Sequence, residues 1–434
     1  MRWKHVARPR RTIGAVTALL LAAASPMVGA PAADGATTAT HVVIYHGYHV
    51  RVPAAWPVVD LTASPRACVR FDVHAVYLGR PGAGTDCPAH LVGRTEALLI
   101  EPLDGAGAAV DAPGTVFAPA GTATYRRAHG KQSVGEIHFV VPGAGVMVTA
   151  SFGTNRAEAE RILGSGWLGA GARPEAVSRR GAPAPPTAET PTEPEAPPVP
   201  VQPGTYTGAG FETCSAPSLA QMTAWESSPY QAVGVYIGGS NRACAQPNLT
   251  PSWVSTLTTA GWHLIPTYVG SQAPCNSYSS LVSPDPGTAD GQGISEADDA
   301  VAQAQALGIP PGSVLYDDME AYAKTDATCR TAVLTYLSGW SQELHARGYL
   351  SGVYSSAGSG MTDLAAQYGT GTFTLPDQIW FGWWNNVADA NAGRFVPAAD
   401  WSNHQRIHQY NGGTHETWGG TTMDVDGDYL DVSG

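Results

Sequence analysis

The sequence predicts an α/β protein, with a (β/α)8 TIM-like barrel over residues 205–434 preceded by a small β-rich domain over residues 37–173. Three observations carry this expectation. After Thr205, strand-like segments alternate with helical patterns; before it, strand-like segments follow one another almost without helices; a proline-rich stretch parts the two. At 434 residues the chain is too long for one core and suits two or three folding units.

The chain opens with Arg2, Lys4, Arg8, Arg10 and Arg11, then an apolar run from Ile13 to Ala24 and small residues at Val28–Ala30. A positive start, a short apolar run and a small-residue end predict a secretory signal peptide over 1–30. Arg10-Arg11 also suits twin-arginine export, beside the general secretory route. No later stretch is long and apolar enough to span a bilayer. The expected product is exported, extracellular or cell-wall associated, without a membrane span, and monomeric. Cysteine usage agrees, with Cys68 and Cys87 in the front half and Cys214, Cys244, Cys275 and Cys329 in the back. Even numbers in each half of an exported chain predict disulfides. Barrel adjacency favours Cys214–Cys244 and Cys275–Cys329, with Cys68–Cys87 as a third bridge.

In the front domain "HVVIYHGYHVRV", "CVRFDVHAVYLG", "TEALLIEPL", "EIHFVV" and "GVMVTASFG" read as strands, and Arg156–Leu163 as a closing helix. No catalytic constellation stands out there. "GSGWLG" (164–169) matches a dinucleotide fingerprint, but it follows a helix where the fingerprint must follow a strand, so the match is chance. His41, His46, His49, His74 and His90 lack ligand-like spacing and read as surface or internally satisfied histidines. Residues 174–204 form a proline-rich, extended linker. Few contacts are expected to cross it, so the barrel should be separable.

Behind the linker, eight strand-like segments lie at 208–213, 232–239, 262–270, 313–320, 350–356, 378–385, 406–410 and 422–428. Most are separated by helical patterns, one opened by a Thr250 cap with Pro251 in its first turn. Eight such units in about 230 residues are the pattern of a closed barrel. The helix signal is poor in the sixth and seventh crossovers.

Charge narrows the partner. The net charge is −12, yet from Thr205 onward 21 Asp and Glu face 6 Lys and Arg, a net of −15. Such a surface repels phosphate backbones, which argues against nucleic acid. Nine of the twelve Trp lie in the same region, a combination that suits neutral sugars.

"LYDDMEAY" (315–322) places three carboxylates within four residues at the end of the fourth strand. Strand side chains alternate, so Asp318 and Glu320 share a face with Tyr316, while Asp317 turns to the surrounding helices. Barrel chemistry sits at the C-terminal strand ends, which puts Asp318 and Glu320 at the mouth. Glu212 on the first strand and Asp424 and Asp426 on the eighth can converge with them. Paired carboxylates serve glycosidic cleavage, one as proton donor and one supporting the cationic centre or activating water. Tyr236, Tyr268, Tyr316, Tyr354, Trp380, Trp384 and Tyr410 are the expected sugar-stacking rim, with Trp380 and Trp384 flooring a groove around Gly382. No metal or other cofactor is expected. "HQRIH" (404–408) lacks the HExxH pattern. "DVDGDYLD" (424–431) has Tyr429 where a calcium loop needs glycine.

Taken together, "GFETCSAPS", "VYIGGSNRAC", "YVGSQAPC", "YDDMEAY", "GVYSS", "IWFGWWN", "HQY" and "DVDGDYLD" resemble the glycoside hydrolase-like TIM-barrel domain of secreted bacterial proteins. That family is similar, more distantly, to family-25 lysozymes. The resemblance covers about residues 205–434. It implies that Asp318 and Glu320 match a DxE motif with Glu320 as proton donor, and that Asp426 or Asp424 matches the acid of the last strand. Glu212 stands where the family pattern has Asp. The resulting expectation is an exported glycoside hydrolase, muramidase-like, acting on peptidoglycan or another cell-envelope or extracellular glycan. A non-catalytic glycan-binding barrel and an envelope structural protein are the alternatives.

Overall fold

The computed structural model describes residues 39–103, 114–127, 134–175 and 198–434. The expected signal peptide and most of the proline-rich linker lie outside the described residues.

Eight strands close into a barrel in sequence order: β10 (Tyr206–Glu212), β11 (Tyr230–Gly238), β12 (His263–Tyr268), β13 (Val314–Met319), β14 (Leu350–Ser356), β15 (Gln378–Gly382), β16 (Gln405–Trp418) and β17 (Thr421–Val432). The near-continuous apolar runs of β11, β12 and β15 fit strands buried on both faces. On β13, Val314 and Tyr316 join the core inside the barrel, while Leu315 and Met319 pack outward. Helices cover the crossovers at Leu219–Trp225, Pro251–Thr259, Pro286–Ala306 and Ala327–Ala346. Each starts on a side chain that accepts from its free N–H groups: Ser218, Thr250, Asp285 and Asp326.

The repeat expected of a full (β/α)8 barrel does not run to the end. β10 to β16 pair in parallel, but β17 is antiparallel to both β16 and β10. Among the described residues no helix separates β15 from β16, and β16 turns into β17 through Gly419-Gly420. Both glycines sit at positive φ, 54° and 79°, as a tight hairpin turn requires. The two crossovers with poor helix signal are therefore a loop and a hairpin. The hairpin outruns the barrel, since β10 pairs with β17 only up to Glu212↔Asp426.

The front domain is β-rich, as expected. One three-stranded sheet has the order β1 (Thr40–Tyr45), β2 (Tyr48–Pro53), β9 (Trp167–Leu168). A six-stranded sheet has the order β3 (Val58–Asp60), β4 (Val76–Leu78), β5 (Ala97–Pro102), β8 (Val146–Ser151), β7 (Glu136–Val141), β6 (Val116–Phe117). Arg156–Gly164 is the closing helix.

The expectation that few contacts cross between the two regions fails. From Thr40 to Gly434 the chain packs as one unit. Front-domain backbone runs along the loop after β11: Phe71 donates to Ala243 at 2.7 Å, Gly93 to Asn241 at 2.8 Å, and Ala245 donates back to Val69 at 3.1 Å. Beside this seam Glu136 accepts from Arg94 at 2.6 Å and from Arg242 at 2.8 Å. Burial alone would raise the Glu136 carboxyl, but the two guanidiniums outweigh it and hold that group well below the usual range. The expected disulfides Cys68–Cys87, Cys214–Cys244 and Cys275–Cys329 are all formed. Two of them meet at the seam, with Cys68 Sγ 3.8 Å from Cys244 Sγ. Three disulfides suit an oxidising, extracellular setting. Among the described residues no helix is long and apolar enough to cross a membrane.

Candidate active site at the barrel mouth

Alternation along the strands brings the expected acids together. Glu212 and Asp426 face each other in register on β10 and β17. Asp318 and Glu320 come from the end of β13, which Gln272 fastens: its Nε2 donates to the Asp318 carbonyl at 2.6 Å, and its Oε1 accepts from the Glu320 N–H at 2.8 Å. Asp317 turns outward as expected, accepting from Tyr336 Oη at 2.9 Å; that same hydroxyl bonds Glu296 at 2.7 Å.

Asp426 reaches the mouth by a route the sequence reading did not foresee. Because β17 runs antiparallel, the mouth end of that strand is its earlier part. Asp424 consequently sits out along the hairpin, opposite His415 at 3.9 Å, rather than among the other acids. Asp428, two residues further in, takes the buried position and accepts from Trp380 Nε1 at 2.9 Å. The period of two that singled out Asp318 and Glu320 would have found it.

The acids are crowded and dry. Burial, then the charge of Asp426, pushes Glu212 up to about 8, against hydrogen bonds from Tyr236 (2.8 Å) and Gln409 that favour its anion. Burial, then Glu320 and Glu212, pushes Asp318 well up. Burial raises Asp428 likewise. Glu320 is raised by burial but drawn back by His90. Asp318 Oδ1 and Glu320 Oε1 are buried without a hydrogen-bond partner. Such orphaned oxygens point to an absent ligand or a catalytic task.

His90 belongs to the front domain, where it was read as a surface or satisfied histidine. Its Nε2 lies 3.6 Å from Glu320 Oε1 and its Nδ1 3.4 Å from Asp426 Oδ2, with its ring edge-on to Trp384. Hydrogen bonding to Asp426, supported by the charge of Glu320, pushes the imidazole up to about 10 against the opposing effect of burial. No local pattern around "CPAHLVG" announces this placement.

Of the seven expected aromatics, three line the mouth. Tyr236 bonds Glu212, Tyr354 donates to Gln409 at 3.0 Å, and Trp384, 54% exposed, donates to Gln409 at 2.8 Å. Gln409 thus links Glu212, Tyr354 and Trp384, and the sequence reading passed over it. Trp380 is buried against Asp428, so of the two only Trp384, in the loop after β15, is exposed. Tyr316, two residues below Asp318, is buried about 7 Å deeper and donates to Gln378 at the start of β15. Tyr268 faces the helices, bonded to Asp299 at 2.9 Å and packed on Trp340. Tyr410 lies in an irregular stretch of β16, beside Tyr230 rather than in the mouth.

Other features compete poorly as sites. Cys68, Cys87 and Cys244 cluster like metal ligands, but all three are in disulfides and offer no thiolate. A cavity of about 440 Å³ lies in the front domain, lined by Tyr45, Thr62, Arg80 and Gly145 among others and by none of the mouth acids.

Residues 223–430 match the family described as "Rv2525c-like, glycoside hydrolase-like domain". No curated protein matches. Similar solved structures include an uncharacterized B. stearothermophilus protein at 17% identity, covering 51% of this chain and 95% of that one, with a TM-score of 0.35. The Clostridium perfringens spore cortex lytic enzyme SleM is 13% identical, covering 52% and 67%, with a TM-score of 0.35. The modular autolysin LytC of Streptococcus pneumoniae is 11% identical, covering 52% and 46%, with a TM-score of 0.33. Likenesses this remote carry neither a residue role nor a substrate to this chain. Residues 223–430, which hold every acid of the mouth but Glu212, are thus similar to the Rv2525c-like glycoside hydrolase-like domain.

Proposed function

We propose that this protein is an exported glycoside hydrolase that cleaves peptidoglycan or another cell-envelope or extracellular glycan. The observation that carries the reading is the Asp318–Glu320 pair, buried at the barrel mouth with an Asp318 oxygen that accepts no hydrogen bond and a Glu320 oxygen met only by His90 at 3.6 Å. Glu320 is the general acid, its proton retained by burial and passed to the glycosidic oxygen as the bond breaks. Asp318 faces the cationic centre that forms, either directly or by orienting an N-acetyl group as internal nucleophile. Glu212 and Asp426 form the opposite wall, and Trp384 offers an open face for a sugar ring. Three disulfides agree with work outside the cell.

The test is turnover of labelled peptidoglycan and of fluorescent chito-oligosaccharides by the mature protein, beside Glu320→Gln. Loss of the general acid should lower the rate by about 10²–10⁴-fold while binding persists. Equal inertness of both proteins, with binding retained, would replace the hydrolase by a glycan-binding barrel.

A further inference from the structure

Glu320 and Asp426 are the two acids of the mouth that face an ion-pair partner, and among the described residues that partner is His90 for both. One imidazole ring separates the two carboxylates, each facing a different nitrogen. The ring does not come from the barrel. It rides on a front-domain loop fastened on either side of it. Before it, Cys87 is tied to Cys68, whose sulfur rests on Cys244. After it, Val92 bridges to Arg242, Gly93 bonds Asn241, and Arg94 donates to the Arg242 carbonyl at 3.0 Å and to Glu136. A loop held at both flanks presents its side chain at a set place, so the His90 ring, although 38% exposed, is fixed over the two acids.

We propose that His90 is a positioning residue of the barrel's site, supplied by the front domain, whose charge compensates Glu320 and Asp426, so that the site is complete only with that domain docked. The proposal rests on the hydrolase reading for what the proton of Glu320 does, but not for where His90 sits. A general acid that gives up its proton in a dry site becomes a buried anion. An imidazolium beside it stabilises that anion as it forms, and keeps burial from holding the proton too tightly. The remaining titratable groups around the pair give no such help. Glu212 on β10, Asp318 on β13 and Asp428 on β17 are acids, and Tyr236, Tyr278 and Tyr354 are raised phenols that stay neutral.

The experiment uses the full chain in two arms. In the first, the His90 ring is titrated by NMR in wild type and in Asp426→Asn. The ring should stay charged well above its ordinary value of about 6.5 and fall back toward it in the variant. A wild-type ring titrating near its ordinary value overturns the proposal, whatever the activity. In the second arm, the pH profile of chito-oligosaccharide turnover is compared for wild type and His90→Gln. Losing the cation should move the alkaline limb to higher pH, because Glu320 then holds its proton longer. Plateau kcat should fall by up to about tenfold for each pH unit of that shift, with KM little changed. An unmoved limb, or a higher kcat with a lower KM, overturns the proposal; the latter would make His90 a stopper. If no glycan is turned over yet the ring titrates high and answers to Asp426→Asn, the composite site stands and the hydrolase reading alone falls.

Discussion

Replacing Glu136 by Gln should loosen the seam that seats the front domain on the barrel. Glu136 is the anion between Arg94, 4% exposed, and Arg242, and accepts from both within 2.8 Å. An amide of the same shape keeps one oxygen acceptor but leaves the buried Arg94 and the half-buried Arg242 without that counter-charge. Breaking a buried ion pair from one side costs about 3–5 kcal/mol, and the retained oxygen places this change toward the lower figure. Denaturant unfolding at neutral pH would measure it, with Arg66→Ala as a control. Arg66 pairs with Asp86 in full solvent exposure, so that substitution should be nearly silent. The pH dependence supplies a second check. The folded-state pKa of Glu136 is depressed, so its contribution is present above the unfolded value and lost as pH falls through the folded one. The gap between wild type and variant should therefore narrow in acid. A variant within about 0.5 kcal/mol of wild type, or a gap indifferent to acid, would refute the clamp.

Further outcomes test the placement of individual side chains. Asp318→Asn should abolish turnover, while Asp317→Asn, on the helix side against Tyr336, should leave it near wild type; the reverse would put the strand register off by one residue. Trp384→Ala should weaken chito-oligosaccharide binding, measured by calorimetry, by about tenfold, as expected for loss of a stacking face worth roughly 1 kcal/mol or more. Tyr268→Phe should leave that binding unchanged and lower stability by about 1 kcal/mol through its lost bond to Asp299, whereas a binding defect would return Tyr268 to the rim.

Much of the barrel was legible because its strands carry period-two patterns and its helices carry caps. That pattern separated Asp317 from Asp318 and placed Glu320 at the mouth. The same pattern applied to β12 would have kept Tyr268 off the rim, since alternation from Ile265 inside the barrel turns Leu264 and Tyr268 to the helices. The direction of β17 was hidden for a different reason. A strand's pattern looks alike read either way, and only the Gly419-Gly420 turn betrays the hairpin. His90 was beyond reach. Its role depends on a contact between segments more than 200 residues apart in sequence, Glu320 and His90, which no local spacing records. The proline-rich linker misled in the same sense, because a long connection says nothing about whether the bodies it joins touch.

The antiparallel closing strand also decides where the barrel's two ends emerge. Tyr206 pairs with Val432 at the foot of β10 and β17, while Glu212 and Asp426 meet at the other end of the same two strands. The ends of the barrel chain therefore lie side by side on the floor opposite the mouth. For immobilisation, a surface anchor attached at Gly434 would hold the protein by its base with the mouth facing the glycan. A tag on the β16–β17 hairpin, by contrast, would hang beside the opening and obstruct it.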